Sequence, residues 1–135
     1  MNWIFARTSL LEQGLNASWK RNKIIAENIA NIDTPGFKAS RVEFESILAD
    51  ALEGMVIQGK KTRKGHMDIG PGSISSIQPV VRQDTKTTMR MDGNNVDIDR
   101  EMVELAENII RFNAQAQLIS KELGRIRTAV QEGRR

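Results

Sequence analysis

Residues 102–130 read MVELAENIIRFNAQAQLISKELGRIRTAV, and this stretch carries the most regular pattern in the chain. Apolar residues recur in alternating steps of three and four, which is the spacing of a coiled-coil seam on a long α-helix. Such a seam must be covered by other helices, so the stretch predicts a mainly α protein. The seam comprises Met102, Leu105, Ile109, Phe112, Ala116, Ile119, Leu123, Ile126 and Val130.

A turn signal and candidate capping side chains precede this stretch. Acidic side chains in the first turn of a helix, such as that of Glu101, interact favourably with the helix dipole. Aspartate is among the preferred N-cap residues, and Asp-Gly-Asn-Asn is typical of a turn. The C-terminal helix is therefore predicted over residues 97–131. The turn residues are Asp92, Gly93, Asn94 and Asn95, and the alternative N-caps are Asp97 and Asp99.

A second and weaker heptad stripe runs through the N-terminal part of the chain. Its apolar members include Leu11, Leu15, Ile25 and Ile29. Polar residues occupy its centre, at Ser18 and Asn22. The stripe predicts a helix over residues 8–31 that pairs with the C-terminal helix as a coiled-coil-like hairpin. Two helices leave little further core, so neighbouring copies are expected to complete the packing, although periodicity alone equally allows a monomeric hairpin.

The N-terminal helix runs directly into residues 28–38, which read NIANIDTPGFK. Pro35 disfavours the α conformation at Thr34 and has no amide hydrogen, and Pro35-Gly36 suits the centre of a type II turn. The helix is therefore expected to end near Asn31, where the chain reverses. The candidate corner residues are Asn28, Asn31, Asp33, Thr34, Pro35, Gly36, Phe37 and Lys38.

The segment between the two long helices is less regular. Residues 32–54 predict a turn and a short helix that ends at Gly54. Residues 55–95 are rich in glycine and in polar β-branched residues, which indicates a loosely structured segment. Short β-strands are predicted there around residues 73–81 and 85–91. The 135 residues together are expected to form one domain.

The composition argues against several kinds of active site. The chain has no cysteine, so it can form neither a disulfide nor a thiolate centre. His66 is the only histidine and has no cluster of further ligands, which argues against a metal site. The acids after residue 91 depart from the EF-hand pattern at three positions. We therefore expect no catalytic residue, no cofactor and no metal, and do not expect an enzyme.

Charge and hydropathy bear on location and partners. Arg7 and Glu12 interrupt the apolar runs at the N-terminus, so a secretory signal peptide is not expected there. No stretch approaches the roughly 18 apolar residues of a membrane span. The net charge is +3, with four basic residues in KKTRK at 60–64. No aromatic residue lies among them, so a solvated loop is favoured over a nucleic-acid site.

Two stretches resemble a known family. Residues 24–40, IIAENIANIDTPGFKAS, are similar to the N-terminal signature of the axial rod and hook proteins of the bacterial flagellum. Residues 91–108, MDGNNVDIDREMVELAEN, resemble the segment that opens the C-terminal helix of the proximal rod proteins in that family. The short chain agrees with this resemblance, because hook and distal-rod relatives carry large inserted domains. Residues 55–90 match only loosely, and Phe112 stands where relatives commonly have tyrosine.

The resemblance implies a structural subunit of the flagellar basal-body proximal rod that assembles through its terminal helices. It implies export by the flagellar type III apparatus without a cleaved signal peptide, and a place in the periplasmic rod. The implied partners are further copies of the chain, the rod subunit FlgC, the FliE adaptor, the export gate and the MS ring. Phe37 and Lys38 are then expected to dock against neighbouring helices. The alternative is a soluble helical adaptor or chaperone that captures a partner helix.

Overall fold

The computed structural model describes residues 2–56 and 77–133 of the chain. Two long helices, one from each end, pack against each other, and a two-stranded sheet packs on the first of them. This arrangement confirms the predicted mainly α fold with paired terminal helices and short strands between them. The elements in chain order are α1 (Asn2–Ala30), β1 (Ser40–Glu43), α2 (Glu45–Val56), β2 (Val80–Gln83) and α3 (Ile98–Glu132).

Helix α1 begins at Asn2 rather than at residue 8, because no glycine or proline interrupts the segment before Thr8. After Ala30 the chain makes a tight turn in which the amide of Phe37 donates to the carbonyl oxygen of Thr34 at 3.2 Å. Gly36 lies at the third position of this turn with φ 71°, a left-handed conformation that glycine adopts without steric cost. Proline and glycine therefore end the helix by local chemistry.

The two strands pair in an antiparallel register that the sequence did not predict. Ser40 lies opposite Gln83, and Glu43 lies opposite Val80. The predicted strand at residues 85–91 is wrong, because the side chain of Asp84 accepts the amides of Lys86 and Thr87 and turns the chain away. Of the other predicted strand, residues 73–76 lie outside the described residues. Strand β1 was missed because four residues are too few for alternation to identify.

Helices α1 and α3 run antiparallel. Asn28, near the end of α1, contacts Glu101 near the start of α3, whereas Ser18, earlier in α1, contacts Gln115 later in α3. Few large apolar side chains are fully covered, and many on α3 are exposed. Within residues 2–56 and 77–133, no helix has the length and apolar character of a membrane span. The buried apolar residues among those described are Ala17, Ile25, Ala39, Val42, Phe44 and Val96.

Candidate assembly site

Asn94 joins the two sequence motifs into one corner. Its side chain is 0% exposed, and its amide nitrogen donates to the carbonyl oxygens of Asn31, Ile32 and Thr34 at 3.1, 2.9 and 2.9 Å. Its side-chain oxygen accepts the amide of Val96 at 2.7 Å. These three carbonyl oxygens belong to the turn that follows α1, so Asn94 holds that turn against the start of the C-terminal motif.

Two glycines allow the backbones of the corner to approach closely. The amide of Gly36 donates to the carbonyl oxygen of Asp92 at 2.9 Å. Gly93 has φ 85°, and a Cβ atom placed there would lie 3.6 Å from the Cα atom of Gly36. Both glycines hold left-handed conformations that other residues rarely adopt. The N-terminal turn and the turn before α3 are thus packed backbone to backbone.

Asn95 ties the same corner to the sheet. Its side-chain oxygen accepts the amide of Ala39 at 2.7 Å, and its amide nitrogen donates to the carbonyl oxygen of Asp84 at 2.9 Å. The amide of Asp84 in turn donates to the carbonyl oxygen of Ala39 at 2.8 Å. The Asn95 carboxamide therefore takes the place of a backbone partner just beyond the end of the two-stranded ladder.

Asn28 performs a similar function on the other edge of β1. Its side chain accepts the amide of Ser40 at 3.0 Å and donates to the carbonyl oxygen of Ser40 at 2.9 Å. The same amide nitrogen donates to Glu101 Oε2 at 3.0 Å. Asn28 is 1% exposed, so the donors and acceptors of its amide are used inside the chain. This side chain connects α1, β1 and α3 at one point.

The exposed members of the corner make fewer contacts. Residues 33–36 are exposed, and Arg90 Nη1 lies 3.5 Å from Asp33 Oδ1. Lys38 Nζ donates to the carbonyl oxygen of Thr87 at 2.7 Å, and Phe37 is half-buried. The expected docking of Phe37 and Lys38 on neighbouring helices stays a prediction.

Of the two candidate N-caps for α3, Asp97 makes the capping contacts. Its Oδ1 atom accepts the amides of Asp99 and Arg100 at 3.1 and 3.4 Å. Asp99 lies in the first turn of the helix, where a carboxylate favours the helix dipole.

The predicted seam of α3 divides into two rows with different exposure. The inner row is half-buried and consists of Leu105, Phe112, Ile119 and Ile126. The outer row consists of Met102, Ile109, Leu123 and Val130 and is 45–63% exposed. Ala116 belongs to the outer row by spacing and is half-buried. Helix α1 therefore leaves the outer row uncovered, and the role of that row in an assembly seam stays a prediction.

A polar row replaces the outer row in the contact with α1. Asn108 donates to the carbonyl oxygen of Ser18 at 2.7 Å and to Asn22 Oδ1 at 2.8 Å. Ser18 Oγ donates to Gln115 Oε1 at 3.0 Å. The polar row on α3 consists of Glu101, Asn108 and Gln115, which recur every seven positions. It faces polar residues of α1, namely Asn28, Asn22 and Ser18. Sequence reasoning missed this match, although the seven-residue recurrence was visible.

Glu101 brings a carboxylate into this contact. Its side chain is 1% exposed, and Arg41 Nη2 lies 3.3 Å from its Oε1 atom. Arg41 also pairs with Glu104, one turn further along α3. Burying a charge is costly unless it is paired and hydrogen-bonded, and here Asn28 and Arg41 provide both. The network therefore fixes the register of α1, β1 and α3.

Two carboxyl groups have pKa values below their ordinary range. Burial by itself would raise the pKa of Glu45. The hydrogen bond from Arg21 at 2.6 Å and the positive charge of Arg21 act in the opposite direction, and the net result is a lowered pKa. The hydroxyl of Thr87 and the amide of Lys86 lower the pKa of Asp84. A lowered pKa in the folded state means that both groups favour folding at neutral pH, and that this contribution is lost on acidification.

Replacing Asn108 with leucine is expected to lower the free energy of unfolding by about 1 to 2 kcal/mol, measured by urea denaturation. Leucine cannot donate to Asn22 Oδ1 or to the carbonyl oxygen of Ser18, so both acceptors lose their donor from α3. The Oδ1 atom of Asn108 has no hydrogen-bond partner in the chain, so its removal offsets only part of this cost. The matched control is Asn113→Leu on the exposed side of α3, which should change stability by less than about 0.5 kcal/mol. Unchanged or higher stability of Asn108→Leu would show that the polar contact is not net stabilising.

Two features weighed in the sequence, the basic run at residues 60–64 and His66, lie outside the described residues.

The chain is similar to proteins of the bacterial flagellum. Residues 11–38 match the family described as Flagella basal body rod protein. The chain is 35% identical over 124 residues to the flagellar basal body rod protein FlgB of Bacillus subtilis (strain 168), and the match covers 92% of each. It is 36% identical over 115 residues to FlgB of Borrelia hermsii, covering 80% of this chain and 83% of that protein. For FlgB of Proteus mirabilis (strain HI4320) the identity is 32% over 127 residues, covering 90% and 91%.

Paired terminal helices joined at a corner, together with these matches, define the class of flagellar basal-body rod proteins. Within that class, the chain belongs to the FlgB family. The resemblance inferred from residues 24–40 and 91–108 is thereby confirmed. The relatives that match are structural flagellar proteins.

Proposed function

We propose that this chain is a structural subunit of the proximal rod of the bacterial flagellar basal body. The observation that carries the proposal is the exposed outer row on α3, in a chain that belongs to a rod-protein family. Met102, Ile109 and Leu123 are 52%, 45% and 52% exposed, although they continue a regular heptad pattern. Exposed apolar surface of this kind is typical of a protein interface.

The position of the outer row suits an extended array of helices. In a heptad repeat the inner and outer rows are separated by about 50° around the helix. Helix α3 can therefore contact α1 with one side and a helix of another subunit with the adjacent side. Burying a large aliphatic side chain contributes about 1.5 to 3 kcal/mol, so the outer row can contribute substantially to assembly. We assign the rows of α3, with Leu11, Leu15 and Ile29 of α1, to the assembly seam. Ile25, which was predicted to belong to it, is 2% exposed and is already covered within the chain.

The corner supports assembly by holding the helices in one geometry. Its members belong to the two stretches that resemble rod proteins, and Asn28, Asn94 and Asn95 make its buried contacts. In this proposal the corner positions α1 and α3, and the outer row makes contacts with neighbours. The exposed segment at residues 33–36 is available for a second contact.

The proposal extends to location and partners. Rod subunits lie outside the inner membrane, so we propose export by the flagellar type III apparatus without a cleaved signal peptide. Few large apolar side chains are buried between the elements, which suits a chain that has to unfold to pass through a narrow channel. The proposed neighbours are further copies of this chain, FlgC, the FliE adaptor, the export gate and the MS ring.

The function is tested by locating the chain in cells. A tagged chain that restores swimming in a strain lacking the gene should copurify with isolated basal bodies. A cytosolic reporter with the same tag controls for carry-over. The adaptor or chaperone alternative expects the chain in the cytosol at steady state. Recovery of the functional chain only in the cytosol would refute the rod assignment.

A further inference from the structure

Trp19 is the most exposed aromatic side chain whose burial the structure describes. It is 62% exposed, whereas the preceding residues Ala17 and Ser18 are each 2% exposed. Tryptophan is enriched among the residues that dominate binding energy at protein interfaces, because it buries a large apolar area while its indole N–H can donate a hydrogen bond. Among the described side chains of α1, Trp19 is the only large apolar one that is exposed, which makes it a candidate anchor.

A cleft between α1, α2 and α3 lies at the same level along α1 as Trp19, because Ala17 and Ser18 are among its lining residues. Its volume is about 250 Å³, and its walls include Leu11, Phe44 and Leu48. Two small residues, Gly14 and Ala17, contribute to its floor. A cavity of roughly 150 Å³ with apolar walls can hold a benzene molecule. The cleft is therefore large enough for an indole ring.

The rim of the cleft has the polar groups that an indole would need. Glu45 and Gln115 provide oxygen atoms that can accept the indole N–H. Arg111 also lines the cleft, and a guanidinium group beside an aromatic ring gives a favourable cation–π contact. The cleft thus offers both apolar walls and directional partners.

The charges around Trp19 and around the cleft are opposite. Lys23, one turn beyond Trp19, has a side chain that is 63% exposed, and Lys20 directly follows the tryptophan. Helix α2, which forms one side of the cleft, carries Glu45, Asp50 and Glu53 and no basic residue. Glu45 is paired with Arg21, and Arg111 of α3 also lines the cleft, so the excess negative charge comes from Asp50 and Glu53. Complementary charge steers two surfaces toward each other and opposes pairing of like surfaces.

We propose that Trp19 of one copy inserts into the cleft between α1, α2 and α3 of a second copy. Trp19 lies roughly 140° around α1 from the residues that line the cleft, given the geometry of an α-helix. One copy therefore offers its tryptophan on one side and its cleft on the other. Such a contact is head-to-tail, and it continues from copy to copy into a ring or a helical array. The inference rests on the proposed function and adds the lateral contact between copies.

The test places the photocrosslinking residue p-benzoylphenylalanine at position 19 and irradiates purified basal bodies. The expected product is a crosslink between two copies that maps to residues 10–18, 44–48 or 111–115. The control carries the same residue at Ala26, which lies on the same side of α1 two turns further on and is exposed. That control should give no crosslink to the cleft. Crosslinks to another protein, to another part of the chain, or none at all from chain recovered in basal bodies would overturn the proposal.

A second measurement keeps Trp19 in place. The chain has no cysteine, so Lys23→Cys and Asp50→Cys are unique thiols. A disulfide-linked dimer is expected in oxidised basal bodies only when both single variants are produced together. If both reach basal bodies without forming that dimer, the lateral contact is wrong while the rod assignment stands. If the unmodified chain itself is absent from basal bodies, the proposed function fails and this inference fails with it.

Discussion

Replacing Asn94 with alanine is expected to lower the free energy of unfolding by about 1 to 3 kcal/mol, the cost of one buried group left without a partner. The substitution removes the acceptor of the Val96 amide, and Val96 is buried. It also removes one donor from the carbonyl oxygens of Asn31, Ile32 and Thr34. These oxygens keep a second donor, from the amide of Thr34, the guanidinium of Arg90 and the amide of Phe37 respectively, so they add little to the cost.

The measurement is urea denaturation followed by circular dichroism, at a concentration where the chain is monomeric. Asn113→Ala is the matched control, because Asn113 is an exposed asparagine on α3. It should change stability by less than about 0.5 kcal/mol. Equal stability of the Asn94→Ala variant and the unaltered chain would mean that the corner is not held by this side chain.

The double substitution Ile109→Asp and Leu123→Asp is expected to abolish swimming and to remove the chain from basal bodies. Both side chains are about half exposed in the single chain, so the hairpin should keep its helical content and most of its stability. In an assembled array the same positions would bury two unpaired carboxylates against apolar surface. An unpaired buried charge costs several kcal/mol, which is enough to prevent a helix contact.

The matched control is the double substitution Ala114→Asp and Lys121→Asp, at exposed positions of α3 on a side away from the outer row. Cells with the control variant should swim. Phe112→Asp, in the inner row, should instead unfold the hairpin because that side chain is half-buried. Normal swimming with the outer-row variant would refute the assembly seam. An equal loss of swimming with the control variant would mean that the effect is not specific to the outer row.

The class of protein and its principal elements could be predicted because their signals are local. The heptad spacing after residue 101 predicts one long helix wherever that helix packs. Pro35 and Gly36 end α1 through restrictions on their own dihedral angles. Asp97 caps α3 by bonding amides two and three residues away. The resemblance of two stretches to rod proteins likewise depended on contiguous residues.

The candidate site could be predicted only as a set of residues, without its contacts. Asn94 was identified as a turn residue, but its partners lie about 60 positions away in the chain, in the turn that follows α1. The pairing of β1 with β2 also joins distant segments, and four-residue strands carry too weak a pattern to reveal it.

What the sequence determined by itself is the presence of two long helices, the turn that ends the first and the cap that begins the last. Each follows from interactions within a few residues. Only the tertiary structure decided which side of α3 faces α1. Periodicity places Leu105 and Ile109 on neighbouring rows but does not specify the rotation of the helix about its axis. That rotation is set by Asn28, Asn22 and Ser18, because buried polar groups need partners and α3 meets α1 with its own polar row.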